Sequence, residues 1–133
     1  MAVPSKVAIA VVESNGYYLV GVRPEGKPLA GMSEFPGGRC ESDETPRSCV
    51  VRECREETGL MVLPQEHLST VAHTYEHGAL ELHFWKCILA PAHEAQARPV
   101  APFRWVACNQ LAEHDFPAAN NDVLKQIAAA NEN

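Results

Sequence analysis

At 133 residues, 46% apolar and 21% charged, the chain fits one domain with its own core and shows no bias toward disorder. Its formal net charge of −6 argues against a large nucleic-acid footprint, which needs a basic face to release counterions, but leaves a phosphorylated small molecule open if a cation screens the charge. Five cysteines, odd in number and without a C-x-x-C pair, argue against a disulfide framework or a zinc site and for a reducing cytoplasm.

The N-terminal MAVPSKVAIAVVE has too short an apolar run for a signal peptide, and no run in the chain approaches a membrane span. Alternation in KVAIAVVE (Lys6 to Glu13) and YYLVGVR (Tyr17 to Arg23), joined by Ser14-Asn15-Gly16, predicts a β-hairpin. RPEGKPLAGM, Arg23 to Met32, has two prolines and two glycines and reads as a loop, and SEFPGG follows as a short extended piece. Helix signals then become clear. Thr45 can cap, Pro46 suits the first helical position, the run to Thr58 lacks Gly and Pro, and Gly59 stands where a left-handed C-cap glycine belongs, so a helix is predicted over about 46–58. HLSTVAHTYEH and ALELHFWKCILA are strand-like runs around His77-Gly78, a Pro- and Ala-containing loop spans Pro91 to Pro102, and FRWVAC (Phe103 to Cys108) is another strand. NDVLKQIAAA closes the chain as a helix over about 120–130, with Val123, Leu124, Ile127 and Ala128 at helical spacing. This order predicts a single α+β sandwich domain with a mixed sheet.

Six histidines invite a metal reading, especially His73 with His77 and Glu81 with His83. On a strand, however, residues four apart sit about 13 Å from one another, too far to share an ion. Surface histidines are the better reading.

The stretch GGRCESDETPRSCVVRECREETGL carries the chemistry. Helical steps of about 100° put Glu53, Glu56 and Glu57 on one face while Val51 and Cys54 turn away. Like charges at such spacing cost an isolated helix a few tenths of a kcal/mol per pair. A solvated acidic stripe eased by Arg52 and Arg55 is the ordinary explanation. The cap, the glycine stop and the preceding glycine pair favour a different one, because they set the helix in register against backbone that can approach a ligand closely. Clustered carboxylates without Cys or His donors suit hard cations such as Mg²⁺ or Mn²⁺, and carboxylate-held Mg²⁺ usually bridges to phosphate oxygens. That combination points to phosphoanhydride hydrolysis.

Gly38, five residues, Glu44, seven residues and then Arg52-Glu53-Cys54-Arg55-Glu56-Glu57-Thr58-Gly59-Leu60 resembles the Nudix box, G-x5-E-x7-R-E-U-x-E-E-x-G-U with U apolar. Seven fixed positions match, and Cys54 stands at an apolar one that a buried thiol tolerates. The resemblance implies a Nudix hydrolase: an α/β/α sandwich with a mixed central β-sheet that uses Mg²⁺, with Mn²⁺ as a substitute, to cleave a nucleoside diphosphate linked to another group. It further implies that Glu53, Glu56 and Glu57 are metal ligands, with the carbonyl of Gly37 or Gly38 adding an oxygen. Arg52 would pair with a carboxylate to orient it, and Glu44 would sit near the metals.

Outside the box the chain resembles the family's MutT-like branch, which hydrolyses oxidised nucleotides such as 8-oxo-dGTP to the monophosphate and pyrophosphate. SEFPGG is similar to that branch's EFPGG, and DFPAAN (Asp115 to Asn120) to its FPPAN. Carried over by position, Asn120 would hydrogen-bond the base, Phe35 would line its pocket, and Arg23 would contact the nucleotide. A side-chain amide offers a donor and an acceptor together and so can read a base edge. Asn120 equally suits the N-cap of the last helix, and Phe35 a plain core position. Two departures stand out. Ser33 replaces the tryptophan many relatives carry before EFPGG, and the loop from Ala95 to Trp105 lacks the acidic residue many relatives place there, Glu94 being nearest. The general base is therefore open between Glu53, Glu44 and Glu94. Alternatives are a branch preferring CTP- or dCTP-like pyrimidines, an ADP-ribose-type Nudix hydrolase, and a non-catalytic nucleotide-binding module, in which box glutamates tend to be lost. The protein is expected to be a monomer or homodimer.

Overall fold

The computed structural model describes residues 3–75 and 78–131, so His77, which figured in the histidine reading, lies outside the described residues. β1 (Ser5–Ser14) alternates as its sequence requires, sending Ala8, Ala10 and Val12 to one face and Val11 with half-buried Ile9 to the other. β2 (Tyr17–Val22) returns beside it, in register Ser14↔Tyr17. Asn15 and Gly16 between them both have positive φ, 51° and 83°, as a two-residue hairpin turn demands.

β3 (Ser33–Glu34) and β4 (Gly37–Arg39) are the two halves of the extended SEFPGG piece, broken at Phe35-Pro36. β3 pairs with β2, while β4 pairs with Val7 to Ile9 of β1. α1 (Pro46–Thr58) follows with the predicted bounds. β5 (Val62–Tyr75), β6 (Gly78–Leu89), β7 (Arg104–Ala107) and α2 (Asn121–Ala130) complete the order. Among the described residues the strands run β3-β2-β1-β6-β5, with β4 added to β1 and β7 to β2. β1 and β6 are parallel and the remaining pairs antiparallel, so the sheet is mixed as expected.

The two sheet faces carry separate cores. Ala8, Ala10, Val12 and Leu19 meet Cys49, Val50 and Cys54 of α1 on one side. Val11, Val20 and Phe84 meet Val123 and Ile127 of α2 on the other. Helix, sheet and helix thus form the α/β/α sandwich.

Three boundaries differ from the sequence reading. β5 starts at Val62, five residues before the predicted start at His67, and passes through Pro64. An edge strand tolerates proline because its outward N–H needs no ladder partner. Register shifts follow at Pro64/Glu66 and His67/Ser69. Side chains cover the carbonyls exposed there: Arg47 donates to Pro64 O at 3.2 Å and Gln126 to Leu68 O at 2.8 Å. β7 is shorter than FRWVAC, since Phe103 turns into the core and Cys108 opens a 3-10 helix, Cys108–Glu113, that was not predicted. A second 3-10 turn, Ala118–Asn120, leads into α2.

Glycine at position 21 is a packing requirement. A Cβ there would stand 2.6 Å from the Phe103 ring. Gly21→Ala should lower stability by about 1–3 kcal/mol, the ordinary cost of overpacking, measured as a reduced urea midpoint with unchanged m-value.

Candidate active site

α1 is fixed at both ends. Thr45, extended at φ −80° and ψ 156°, accepts the Ser48 amide through Oγ1 at 3.1 Å. Gly59 at φ 79° donates its amide to Arg55 O at 2.9 Å. Between these caps Cys49, Val50, Cys54 and Thr58 are buried against the sheet, which turns the acidic face outward along the β4 edge. Burial raises the Cys54 thiol to about 11, so it behaves as the apolar residue its position calls for.

Arg52 organises the carboxylates. Its Nε and Nη2 form a fork on Glu44, at 2.6 and 2.7 Å, while Nη1 donates to Glu53 at 2.9 Å and to Glu56 at 2.8 Å. Nη2 also reaches Arg39 O at 3.1 Å. The expectation was one carboxylate partner; the structure gives Arg52 three. Glu44 also accepts the Glu41 amide at 2.8 Å. Hydrogen bonds from Arg52, then from Glu41, hold its carboxyl down at about 2. With both oxygens engaged it is a weak proton acceptor.

Glu53 and Glu57 lie against the glycine pair. The Gly37 amide donates to Glu57 Oε1 at 2.8 Å. At Gly38, a Cβ would collide with the Glu53 carboxylate. Burial pushes the Glu57 carboxyl up; the Gly37 hydrogen bond opposes this, and the neighbouring charges of Glu34 and Glu53 add to it. Glu56 is the exposed member, its side chain 55% accessible against 17% for Glu53.

Among the described residues no three His, Cys, Asp or Glu side chains converge as a ready-made metal cage. Arg52 engages Glu53 and Glu56, and Gly37 engages Glu57. The donor chemistry nonetheless fits a hard divalent cation that keeps several of its waters, because such an ion needs only one or two carboxylates. Oε2 of Glu53 and of Glu57 is each without a hydrogen-bond partner among the described residues. Among the described residues the histidines form a chain of hydrogen bonds and no metal cluster: His83 donates through Nε2 to Glu81 and meets Thr70 through Nδ1, and His67 contacts the same Thr70.

Of the residues expected at the base end, each is engaged by its own neighbours. Phe35 is buried and stacks on Phe116, ring centroids 4.8 Å apart. Asn120 is buried and donates through Nδ2 to Pro117 O at 3.1 Å; it occupies the N-cap position of α2 without a capping side-chain bond. Arg23 braces its own loop, donating to Pro28 O at 2.8 Å and to Glu34 at 3.2 Å. Ser33 is buried, its amide bonded to Asp115 O at 2.7 Å and its hydroxyl 3.2 Å from His114 Nδ1. The SEFPGG and DFPAAN segments are therefore clamped together. Glu94 is exposed on a loop whose Gln96 amide bonds Ser14, at the end of β1 remote from Gly37 and Gly38.

Sequence reasoning missed Glu34, although it sits inside a quoted motif. Only the fold brings it beside Arg23 and within the field of Glu57. Two open hollows border the site. One, of about 420 Å³, is lined by Met32, Leu111, His114, Phe116 and Leu124 among others. The other, of about 470 Å³, is lined by Ser48, Val51, Arg52, Arg55, Glu56 and Met61. Neither is lined by Glu53 or Glu57, which stand on the open carboxylate edge between β4 and α1.

A family model described as the NUDIX domain matches residues 7–126. The chain is 34% identical over 128 residues to the CTP pyrophosphohydrolase of Escherichia coli (strain K12), covering 93% of this chain and 91% of that one. It is 27% identical over 123 residues to the 8-oxo-dGTP diphosphatase of the same strain, covering 92% and 95%. Among solved structures it is similar to the MutT Nudix hydrolase of methicillin-resistant Staphylococcus aureus 252, with TM-score 0.79, 27% identity and coverage of 98% and 100%. It is also similar to the E. coli ORF135 protein, with TM-score 0.73, 27% identity and coverage of 94% and 89%.

Two outcomes follow from this geometry. Gly38→Ala should displace the Glu53 carboxylate while leaving the fold intact, lowering kcat by about a hundredfold with little change in Tm. The Glu44 carboxyl falls from 4.5 to about 2 on folding, so its stabilising contribution is full above the higher value and is lost as pH drops through the lower one. Glu44→Gln should accordingly melt below wild type at neutral pH, and the Tm gap should close toward about pH 2, followed by circular dichroism.

Proposed function

As the chain belongs to the Nudix family and is a phosphoanhydride hydrolase of its MutT-like branch, we propose that it is a Mg²⁺-dependent nucleoside triphosphate pyrophosphohydrolase. Its preferred substrates are oxidised purine nucleotides such as 8-oxo-dGTP, hydrolysed to the monophosphate and pyrophosphate in nucleotide-pool sanitation. The observation that carries this reading is the Arg52 fork, which holds Glu44, Glu53 and Glu56 along one edge beside Gly37 and Gly38.

Nudix hydrolases in general use divalent metal ions. In our reading Glu53, Glu56 and Glu57, with a carbonyl of Gly37 or Gly38, hold the ion, and Mn²⁺ substitutes for Mg²⁺. Such an ion, when bound, supplies positive charge against the phosphate oxygens and acidifies water. The protein does the rest. Arg52 stays charged and holds the carboxylates apart from one another's repulsion. Water attacks a phosphorus of the chain, the bridging P–O bond breaks, and the proton passes to a carboxylate. Glu53 is the acceptor we favour, since Glu44 is held at about 2 and Glu94 is exposed on its loop. Arg23 contacts the nucleotide, Phe35 forms the floor of the base site, and the Asn120 amide reads the base.

A second reading, preference for CTP- or dCTP-like pyrimidines, is favoured by the higher identity to the CTP pyrophosphohydrolase, 34% against 27%. Pyrophosphate release from 8-oxo-dGTP, dGTP, CTP and 5-methyl-dCTP in Mg²⁺ separates the two. The expected order has 8-oxo-dGTP first; equal or faster turnover of the pyrimidines selects the second reading. Glu53→Gln should reduce the rate by about a thousandfold with the fold unchanged. Equal inertness of wild type and variant on every nucleotide would defeat both readings.

A further inference from the structure

Two cysteines stand where the end of β4 faces α1, and the phosphoanhydride chemistry uses neither. A Cβ at Gly38 would point at the Glu53 carboxylate, so that face of β4 looks at the helix. Cys40 follows Gly38 by two residues, and side chains two apart on an extended chain share a face. Cys49 precedes Glu53 by four residues, one turn earlier on the same helix face. Two strand residues advance about 6.6 Å and four helical residues about 6 Å, so Cys40 arrives opposite Cys49 as Gly38 arrives opposite Glu53. Cys40 packs against the core cluster that holds Cys49, and the two thiols meet. Cys49 also donates through Sγ to Gly38 O at 3.7 Å. The backbone is fixed under both, since the Cys40 amide bonds Lys6 O at 2.8 Å and the Cys49 amide bonds Thr45 O at 2.9 Å. Cys40 is half-buried, and Cys49 is fully buried.

We infer that Cys40 and Cys49 are a reversible disulfide pair, closed by a peroxide and reopened by thiol reductants, which staples the loop bearing Glu44 to α1. In the first step the Cys40 sulfur attacks one peroxide oxygen, the O–O bond breaks, and the leaving hydroxide takes the thiol proton as water. The sulfenic acid left on Cys40 is then attacked by the Cys49 sulfur; the S–O bond breaks, the S–S bond forms, and the second oxygen leaves as water with the Cys49 proton. Two thiols thus give two electrons to one peroxide. Its partial exposure lets Cys40 meet the oxidant first, and burial makes Cys49 the resolving partner. Burial pushes both thiols up from their ordinary value, so both are protonated at neutral pH and the pair stays reduced until the oxidant is abundant. The closed ring encloses Glu41 to Ser48, including Glu44 and the Thr45 cap, so the carboxylate partner of Arg52 is tied to the helix by a covalent bond as well as by the fork. Cys54 and Cys87 are fully buried, and Cys108 packs on the opposite face of the sheet. The inference stands apart from the choice of nucleotide.

The test is a peptide map and a melting curve of the full chain, before and after exposure to excess hydrogen peroxide. Trypsin cuts after Arg39, Arg47 and Arg52, so the two cysteines fall in separate peptides, residues 40–47 and 48–52. Without reductant those peptides should appear joined, two hydrogens lighter than their sum, and dithiothreitol should part them. The oxidised protein should melt roughly 5–10 °C above the reduced one, the rise expected when a disulfide closes a short loop, and dithiothreitol should return it to its starting Tm. Cys40→Ser should show neither the link nor the rise, and Cys40→Ala carries the comparison if the serine variant folds poorly. Peptides 40–47 and 48–52 that stay separate after peroxide would overturn the inference, whether Cys40 is left as a thiol or carried on to the sulfonic acid. A link that leaves Tm unchanged or lowers it would overturn the staple equally.

Discussion

The site depends on one guanidinium. Glu53, Glu56 and Glu57 lie within five residues on one helix face, where like charges repel; Arg52 pairs with Glu53 and Glu56, and the Gly37 amide holds Glu57. A lysine could not replace Arg52. The planar fork grips Glu44 through two nitrogens and still has Nη1 for Glu53 and Glu56, whereas an ammonium is a point charge without that geometry. The same fork ties the helix to the preceding loop, because Glu44 lies outside α1 and Arg52 also reaches Arg39 O on β4. Helix, loop and strand are therefore held as one unit around the carboxylates.

Backbone supplies the complementary surface. Gly37 offers its amide to Glu57, and Gly38 leaves room for the Glu53 carboxylate where any Cβ would stand. Both glycines belong to β4, which is paired to β1 on its other side, and β1 underlies α1 through Ala8 and Ala10. Small residues on β1 let the helix approach closely. The position of each carboxylate is thus set by packing below and by hydrogen bonds above.

The DFPAAN segment is joined to the carboxylate edge through SEFPGG. Ser33 binds Asp115 O, Phe35 stacks on Phe116, and two residues later Gly37 holds Glu57. Ser33 adds to this joint its backbone amide on Asp115 O and its hydroxyl beside His114 Nδ1.

By itself the sequence determined what depends on near neighbours. The bounds of α1 follow from Thr45, Pro46 and Gly59, the two faces of β1 from strict alternation, and the acidic edge from helical spacing, because caps and periodicity act within a few residues. The α+β order with a mixed sheet was legible for the same reason, whereas the α/β/α layering followed from the family resemblance that the box residues carry. Tertiary structure alone decided what depends on distant partners: the parallel pairing of β1 with β6, the extension of β5 through Pro64, and the reach of Arg52 across three carboxylates. It also brought Glu34 beside Arg23 and joined Ser33 to Asp115. Such contacts join residues far apart in the chain, and only the closing of the sheet brings the backbone close enough for them to form.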